Sequence, residues 1–264
     1  MNRQQLFEFE DLPWFPDFLR VCMTRYINFI HKLFATANKM EASLSELLKE
    51  TDQKKILDLC SGSGGPMLDL YSKLKKIDGF DDLELKLSDL YPNKAEAKKI
   101  SKLGDQRLTY LLEPVDATTP NEKHEGVRTM ISSFHHMPVS VAKSILQSAS
   151  DSRQPIFIYE MTDNSLPHAA HWITLPIGAL MVLLFTPFVR PLSLTQIIFT
   201  YIVPILPLVI AWDAAVSNVR TYSPADLEEL LAEIPIHGYS WHKMILGGRG
   251  GNSLVLIGKP TKAV

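Results

Sequence analysis

Cysteine is scarce in this chain. Its 264 residues include two, Cys22 and Cys60, and neither belongs to a CxxC pair. That excludes a disulfide framework or a cysteine zinc site, and it fits a reducing compartment. No charge sign dominates either: 27 Lys and Arg stand against 29 Asp and Glu, a net charge of −2. A dedicated nucleic-acid binder would be basic, so no nucleic-acid partner is expected. The first residues run quickly into Glu8, Glu10 and Asp11. They lack a basic stretch followed by an apolar one, so no signal peptide is expected. Internal repeats and low-complexity segments are missing. Long apolar runs are missing too, with one exception between Trp172 and Trp212.

The most informative stretch runs from Lys54 to Pro66. Ile56 to Leu59 is apolar apart from Asp58, and Ser61-Gly62-Ser63-Gly64-Gly65 then forms a small-residue turn. Pro66 follows where a helix begins, because a first helical position needs no N–H. Strand, glycine turn and helix together bring backbone N–H groups close to a ligand. Two ligand classes are excluded by what the turn lacks. A dinucleotide fingerprint needs a third glycine where Met67 stands, and a phosphate-binding P-loop needs a Lys that is not there. A plain strand-to-helix connection is the structural alternative.

Strands are predicted at 54–60, 83–88, 107–112, 127–132 and 155–160, with helices at 65–77, 93–103 and 138–149. Alternation of this kind implies a parallel sheet covered on both faces, with ligands at the carboxyl ends of the strands. Ser223-Pro224-Ala225-Asp226 starts a further helix. Strands at 239–246 and 253–259, joined by Gly247-Gly248-Arg249-Gly250-Gly251, form a closing hairpin. Before the sheet, helical spacing predicts one helix from Asp17 to about Leu33 and another over 43–50. These cap the core, and Trp14, Phe15 and Phe18 are candidates to line an apolar pocket. The fold class is therefore α/β: a doubly wound, mostly parallel seven-stranded sheet with a C-terminal antiparallel hairpin, plus N-terminal helices and a helical insert.

This order of elements resembles the class I S-adenosylmethionine (SAM) methyltransferases over about 54–160 and 221–260. The resemblance rests on the strand, Asp58, a small residue and Gly62-Ser63-Gly64, and on a sheet that ends in a hairpin. It implies SAM as cofactor. Gly62 and Gly64 would let the backbone approach the methionine part, and Asp58 would hold its ammonium group through water. Asp89, at the end of the second strand, would accept the ribose hydroxyls, with Leu90 against the adenine face. Asp116 would accept the adenine amine, with Ala117 leaving room for the base. Each carboxylate also has a plainer reading as a cap or turn residue.

The fourth strand ends in Ser132-Ser133-Phe134-His135-His136. In the family this place lies under the sulfonium, and imidazole titrates near neutral pH. His135 is the better placed candidate base, and one of the pair is read as a helix cap or pocket lining. Glu160, after four apolar residues, is the second candidate base; its other reading is a partner for Arg220. Tyr222 is the candidate positioning group. His168 and His171 are three apart near Glu160 and Asp163, but no zinc spacing supports them, so no metal is expected.

The apolar stretch carries no charge from Trp172 to Val189 or from Leu192 to Trp212, with Arg190 between. About 17 helical residues reach only ~25 Å, short of the ~30 Å hydrocarbon layer. Two such passes return the chain to the side it left. A membrane-inserting helical hairpin is therefore expected, with Trp172, Tyr201 and Trp212 at the interface. A buried helical pair or a dimer contact, which would make the chain a homo-oligomer, is the other reading. The expected divisions are 1–53 (helical cap), 54–165 (first part of the core), 166–215 (insert) and 216–264 (last part of the core). The expected function is a membrane-associated, SAM-dependent methyltransferase with a cytoplasmic catalytic domain, acting on a lipophilic small molecule. The alternative is a non-catalytic SAM-binding membrane protein, a sensor or assembly factor.

Overall fold

A computed structural model describes residues 1, 3–120, 125–235 and 238–261. Seven strands form one sheet in the order β3-β2-β1-β4-β5-β7-β6. They are β1 (Lys55–Asp58), β2 (Glu84–Leu87), β3 (Leu108–Tyr110), β4 (Val127–Ile131), β5 (Ile156–Glu160), β6 (Tyr239–Leu246) and β7 (Ser253–Pro260). The first five are parallel, and β7 joins β5 antiparallel, with β6 outside it. Strand order reverses between β1 and β4, which is where such sheets open a crevice for ligands.

Alternation along the strands explains the two cores. Ile56, Phe157 and Tyr159 point to one face with Leu70, Leu74, Leu44 and Leu48. Leu57, Ile156 and Ile158 point to the other with Ile145, Leu146, Leu227 and Leu230. Successive strand side chains must alternate this way, and parallel strands need both faces covered. One face is covered by α2 (Thr36–Glu50) and α3 (Gly65–Leu74), the other by α5 (Val139–Asp151) and α10 (Pro224–Ala232). Between β2 and β3 lies α4 (Lys94–Ser101), capped by Asn93, whose side chain accepts the N–H groups of Ala95 and Glu96. In α10 the Ser223–Asp226 capping box is complete.

The expected α1 (Asp17–Leu33) has the bounds its signals gave: Pro16 before it, Asp17 in its first turn, His31 and Lys32 in its last. α2 begins earlier than expected, at Thr36, after Ala35 in a left-handed conformation at φ 51°. Phe15 is buried with Leu19, Cys22, Leu206 and Val209. Trp14 is 70% exposed and Phe18 48% exposed, the latter 5.3 Å from the Phe199 ring. Of the three aromatics expected in a pocket, then, one is core and two lie on an outer apolar face.

The insert is helical but bent. It comprises α6 (His168–Ile173), α7 (Leu175–Phe185), α8 (Leu194–Ile197), a π-turn over Ile198–Ile202, and α9 (Ile205–Arg220). No single helix among the described residues is long and apolar enough to cross a membrane. Leu194–Ile202 and Ile205–Arg220 reach that length together, but they meet at 86°, where Pro204 breaks the hydrogen-bond ladder. α9 packs against α7, with Gly178 close under Ala211, and against α1 through Leu206 and Val209. The outer face of this layer is apolar. Ile173, Ile177, Leu180, Leu184 and Phe188 are all more than half exposed and recur every three or four residues.

Candidate active site

The turn after β1 is built from left-handed residues: Cys60 (φ 55°), Gly62 (φ 52°) and Gly64 (φ 82°). A side chain at Gly64 would press on Leu68 and Leu87 at 3.1 Å, whereas one at Gly62 would meet nothing within 4 Å. Gly64 is therefore glycine for packing. Gly62 turns its bare backbone to open space, the cradle expected of a cofactor loop. Hydrogen bonds tie this turn to the neighbouring strand ends. Ser61 N–H donates to Ser88 O, Ser88 N–H and Oγ to Asp58 O, and Tyr110 OH to Gly62 O. Asn28 of α1 closes over the loop, donating to Ser63 Oγ at 3.1 Å.

Asp89 stands in the middle of this rim. Its Oδ2 accepts Gly62 N–H and its Oδ1 accepts Tyr91 N–H, each at 3.0 Å. One lone pair on each oxygen remains for a pair of ligand hydroxyls. Leu90 beside it is exposed. Asp116 is exposed as well, and its Oδ1 takes the Thr118 N–H and hydroxyl, while Ala117 is buried. Burial, then Asp89, Asp58 and Asp116 in turn, push the Cys60 thiol up to about 12. Asp89 and Asp116 put two carboxylates beside the turn, a field suited to a cationic ligand.

Asp58 differs from its expected role. It is 3% exposed and turned into the sheet, where its Oδ1 accepts the Thr129 hydroxyl at 2.6 Å. Burial pushes its carboxyl up to about 7, with Ser61 and Thr129 opposing. In this structure it braces the β1–β4 seam instead of facing the groove.

Across the switch point, the ends of β4 and β5 form the second half of the site. After Ser132 (φ 53°) a short 3-10 turn, Phe134–His136, carries both histidines. Glu160 is 4% exposed and grips His135 twice, accepting its backbone N–H at 3.0 Å and meeting its Nδ1 at 2.7 Å. Beside an ionised carboxylate, which only accepts, Nδ1 is the donor, and in the neutral ring Nε2 keeps its lone pair. The sequence expectation that brought His135 and Glu160 to one rim corresponds to this contact.

Residues from the chain's first dozen complete this half, and sequence reasoning did not foresee them. Glu8 is fully buried, with one oxygen 4.0 Å from His135 Nε2 and the other 3.5 Å from His136 Nδ1. Burial pushes its carboxyl up to about 7 against the pull of His136 and Arg220. Asp11 lies 3.2 Å from His136 Nδ1 and 2.7 Å from Arg220 Nη1. Burial pushes Asp11 up, but His136 and Arg220 outweigh it and hold it well below the usual carboxylate range. Arg220 also reaches Glu8 at 3.3 Å and donates to His136 O. It braces these N-terminal acids and not Glu160. Asp213 instead accepts the N–H groups of Phe9 and Glu10, fixing the segment that presents Glu8, and burial pushes it up to about 7. The signal for this segment was the density of acids at Glu8, Glu10 and Asp11 beside an aromatic cluster.

Tyr222 is not brought to the groove. It is 1% exposed, its hydroxyl donates to Met137 O, and the Arg3 guanidinium lies 4.2 Å over its ring. Its expected contact with substrate gives way to an internal brace. Of the two distant histidines, His171 is buried in the insert layer.

No known family pattern matches the chain, and no curated protein matches it in sequence. Solved structures do match. An O-methyltransferase family protein from Burkholderia thailandensis superposes with a TM-score of 0.51 at 15% identity, over 90% of this chain and 59% of that one. The plantazolicin methyltransferase BpumL, solved with S-adenosylhomocysteine (SAH), gives 0.51 at 11% identity over 92% and 87%. An O-methyltransferase from neocarzinostatin biosynthesis, solved with SAH and a dihydroxynaphthoic acid, gives 0.50 at 14% identity over 90% and 56%. The chain spans little more than half the length of the first and third. At these identities the likeness concerns the backbone, and it is to the fold of the class I SAM-dependent methyltransferases that this chain conforms.

Proposed function

We propose that the chain is a SAM-dependent methyltransferase acting on a lipophilic or membrane-associated small molecule. One arrangement carries the reading: an open glycine turn ringed by Asp89 and Asp116 lies across the switch point from the His135–Glu160 pair. Gly62, Asp89, Leu90, Asp116 and Ala117 hold the cofactor, which when bound supplies a methyl group on a sulfonium. Asp58 supports the turn from behind through its backbone carbonyl, which accepts from Ser61 and Ser88. On the other side His135 Nε2 takes the proton from the acceptor group, and Glu160 holds the ring in the tautomer that leaves Nε2 free. The protein's main task is to align the acceptor and keep out water. The Glu8–Asp11 segment and α9 close the acceptor side.

The apolar face favours a greasy substrate or surface. Five large apolar side chains along α6, α7 and the turn after it, with Trp14 and Phe18, leave more exposed apolar surface than isolated residues explain. With helices too short to cross singly, the insert lies in the plane of a lipid surface.

The test is transfer of labelled methyl from SAM into a lipid extract. His135→Ala and Glu160→Ala are expected to keep SAH binding within about threefold and to lose at least ~100-fold in turnover. Normal turnover in both variants refutes the base assignment. Binding of SAM with no transfer to any lipid or small-molecule extract would favour a sensor. Failure of the chain to sediment with anionic vesicles, or sedimentation unchanged by Ile177→Glu with Leu184→Glu, removes the lipid surface from the reading.

A further inference from the structure

We propose that Glu8, His135 and His136 form a binding site for one divalent transition-metal ion. Their donor atoms come from two separate parts of the chain yet lie within 4.8 Å of one another. Glu8 Oε1 stands 4.0 Å from His135 Nε2, and Glu8 Oε2 stands 3.5 Å from His136 Nδ1. Around a tetrahedral or octahedral ion, ligands ~2.1 Å from the metal sit about 3.0–3.4 Å apart. Donors that stand up to 4.8 Å apart must therefore draw together by up to about 1.4 Å to hold an ion.

Two independent features point to a ligand here. The first is Glu8 Oε2. Glu8 is fully buried, and this oxygen accepts no hydrogen bond among the described residues. Its partner oxygen is taken by Ser217 and Arg220, so the free one is left facing His136. A buried carboxylate oxygen left bare is costly, and a cation removes that cost. The second is the orientation of His135. Its Nδ1 is bound to Glu160, which leaves Nε2 free and the ring fixed. Metal-ligating histidines are held by a carboxylate on the far nitrogen in this way. His136 is stacked on His135 at 4.3 Å between ring centroids and turns its Nδ1 to the same side as Glu8.

Two imidazoles and one carboxylate suit Mn²⁺, Fe²⁺ or Zn²⁺ better than Mg²⁺ or Ca²⁺, which prefer all-oxygen sets. Asp11 meets His136 Nδ1 at 3.2 Å, so an ion would take over that nitrogen and leave Asp11 to Arg220 at 2.7 Å. An ion here stands at the carboxyl end of β4, facing the side proposed for the acceptor. It would be reached by a hydroxyl, carboxylate or phosphate of the substrate. The inference deepens the reading above and rests on its His135 tautomer, but on no step of methyl transfer. With an ion bound, Nε2 would be a ligand and could not also take the acceptor's proton; the ion would supply Lewis-acid activation there instead.

The full chain, stripped with chelator and dialysed, is titrated with Mn²⁺ while free Mn²⁺ is read by electron paramagnetic resonance, and with Zn²⁺ by calorimetry. One equivalent of at least one of these ions is expected to bind. His136→Ala and Glu8→Gln should each weaken binding at least ~10-fold, and Glu160→Gln by ~10–100-fold. His242→Ala, an exposed histidine on β6, should bind as the parent does. Circular dichroism verifies the fold of each variant, and if Glu8→Gln does not fold, His136→Ala decides. No saturable uptake of either ion overturns the proposal, as does uptake that both variants leave unchanged or that His242→Ala removes. Those results would leave His135 as proton acceptor intact. Turnover that survives His135→Ala would refute the base without touching the ion titration.

Discussion

Replacing Asp89 is the sharpest probe of the cofactor half. Its carboxylate is held by two backbone donors, Gly62 N–H and Tyr91 N–H, and each oxygen keeps one acceptor position. Two ribose hydroxyls can therefore be taken by a group already fixed in place. A hydrogen bond to a charged partner contributes ~1.5–3 kcal/mol, so removing both costs about 3–6 kcal/mol. Asp89→Ala should then weaken SAH binding by more than ~100-fold, since each 1.4 kcal/mol is tenfold. Asp89→Asn keeps one acceptor and one loop anchor but gives up the charge, and about tenfold is expected. Calorimetry with SAH measures both, and thermal unfolding confirms that the loop change has not unfolded the chain. Asp116→Asn provides an internal comparison. It should cost about fivefold against SAH and nothing against S-inosylhomocysteine, which lacks the adenine amine. If both Asp89 variants bind SAH within threefold of the parent, the ribose is not held here and the reasoning for the whole rim fails.

Asp58 gives a pH prediction. Its folded carboxyl is raised from 3.8 to about 7. Between those values the unfolded chain ionises while the folded one stays protonated, so this group lowers stability as pH rises through the window, by on the order of 4 kcal/mol at most. Asp58→Asn keeps an acceptor for Thr129 and should gain stability relative to the parent from pH 4.5 to 8; a pH-independent difference in urea midpoint contradicts this. Arg220→Met leaves Glu8 and Asp11 without their guanidinium and should cost about 3 kcal/mol at pH 8. The loss should be smaller at pH 5, where Glu8 is protonated, and an equal loss at both pH values would count against the ion-pair account. Gly126 sits at φ 127°, and a methyl there would lie 2.4 Å from Lys55 O. Gly126→Ala should destabilise by about 3 kcal/mol in denaturant unfolding, and an unchanged midpoint would show the β1–β4 seam to be looser than described.

Much of the sheet was readable because its signals are local. Apolar runs, Pro16 before α1, Ser223-Pro224 before α10 and the glycines between β6 and β7 each mark an element where it stands. The start of α2 was not readable, because Thr36 follows a left-handed Ala35 with no capping side chain. Gly62, Asp89 and Asp116, proposed for the cofactor rim, stood out because each lies in the loop that follows its own strand. The acceptor half was only partly so. His135 and Glu160 end neighbouring strands, but Glu8 and Asp11 reach them from far along the chain and carry no periodic signal. Arg220 likewise chose acids that sequence proximity does not suggest. The apolar insert was visible as composition, yet its Pro204 bend and its packing on α1 depend on tertiary contacts.

The pairing of Glu8–Asp11 with Asp213 and Arg220 has a consequence for how the protein is made. The partners lie 203 to 209 residues apart. At ~5–20 residues per second, the ribosome takes roughly 10–40 s to deliver the second set after the first. Every residue of the cofactor rim has been synthesised by Ala117, while the acceptor half waits for α9. Phe7, Phe9 and Phe15 meanwhile have no partners in α9 or Trp212 and stay open to chaperones. On the proposed function, a nascent chain would thus carry the residues of its cofactor rim well before it could close a chamber around an acceptor.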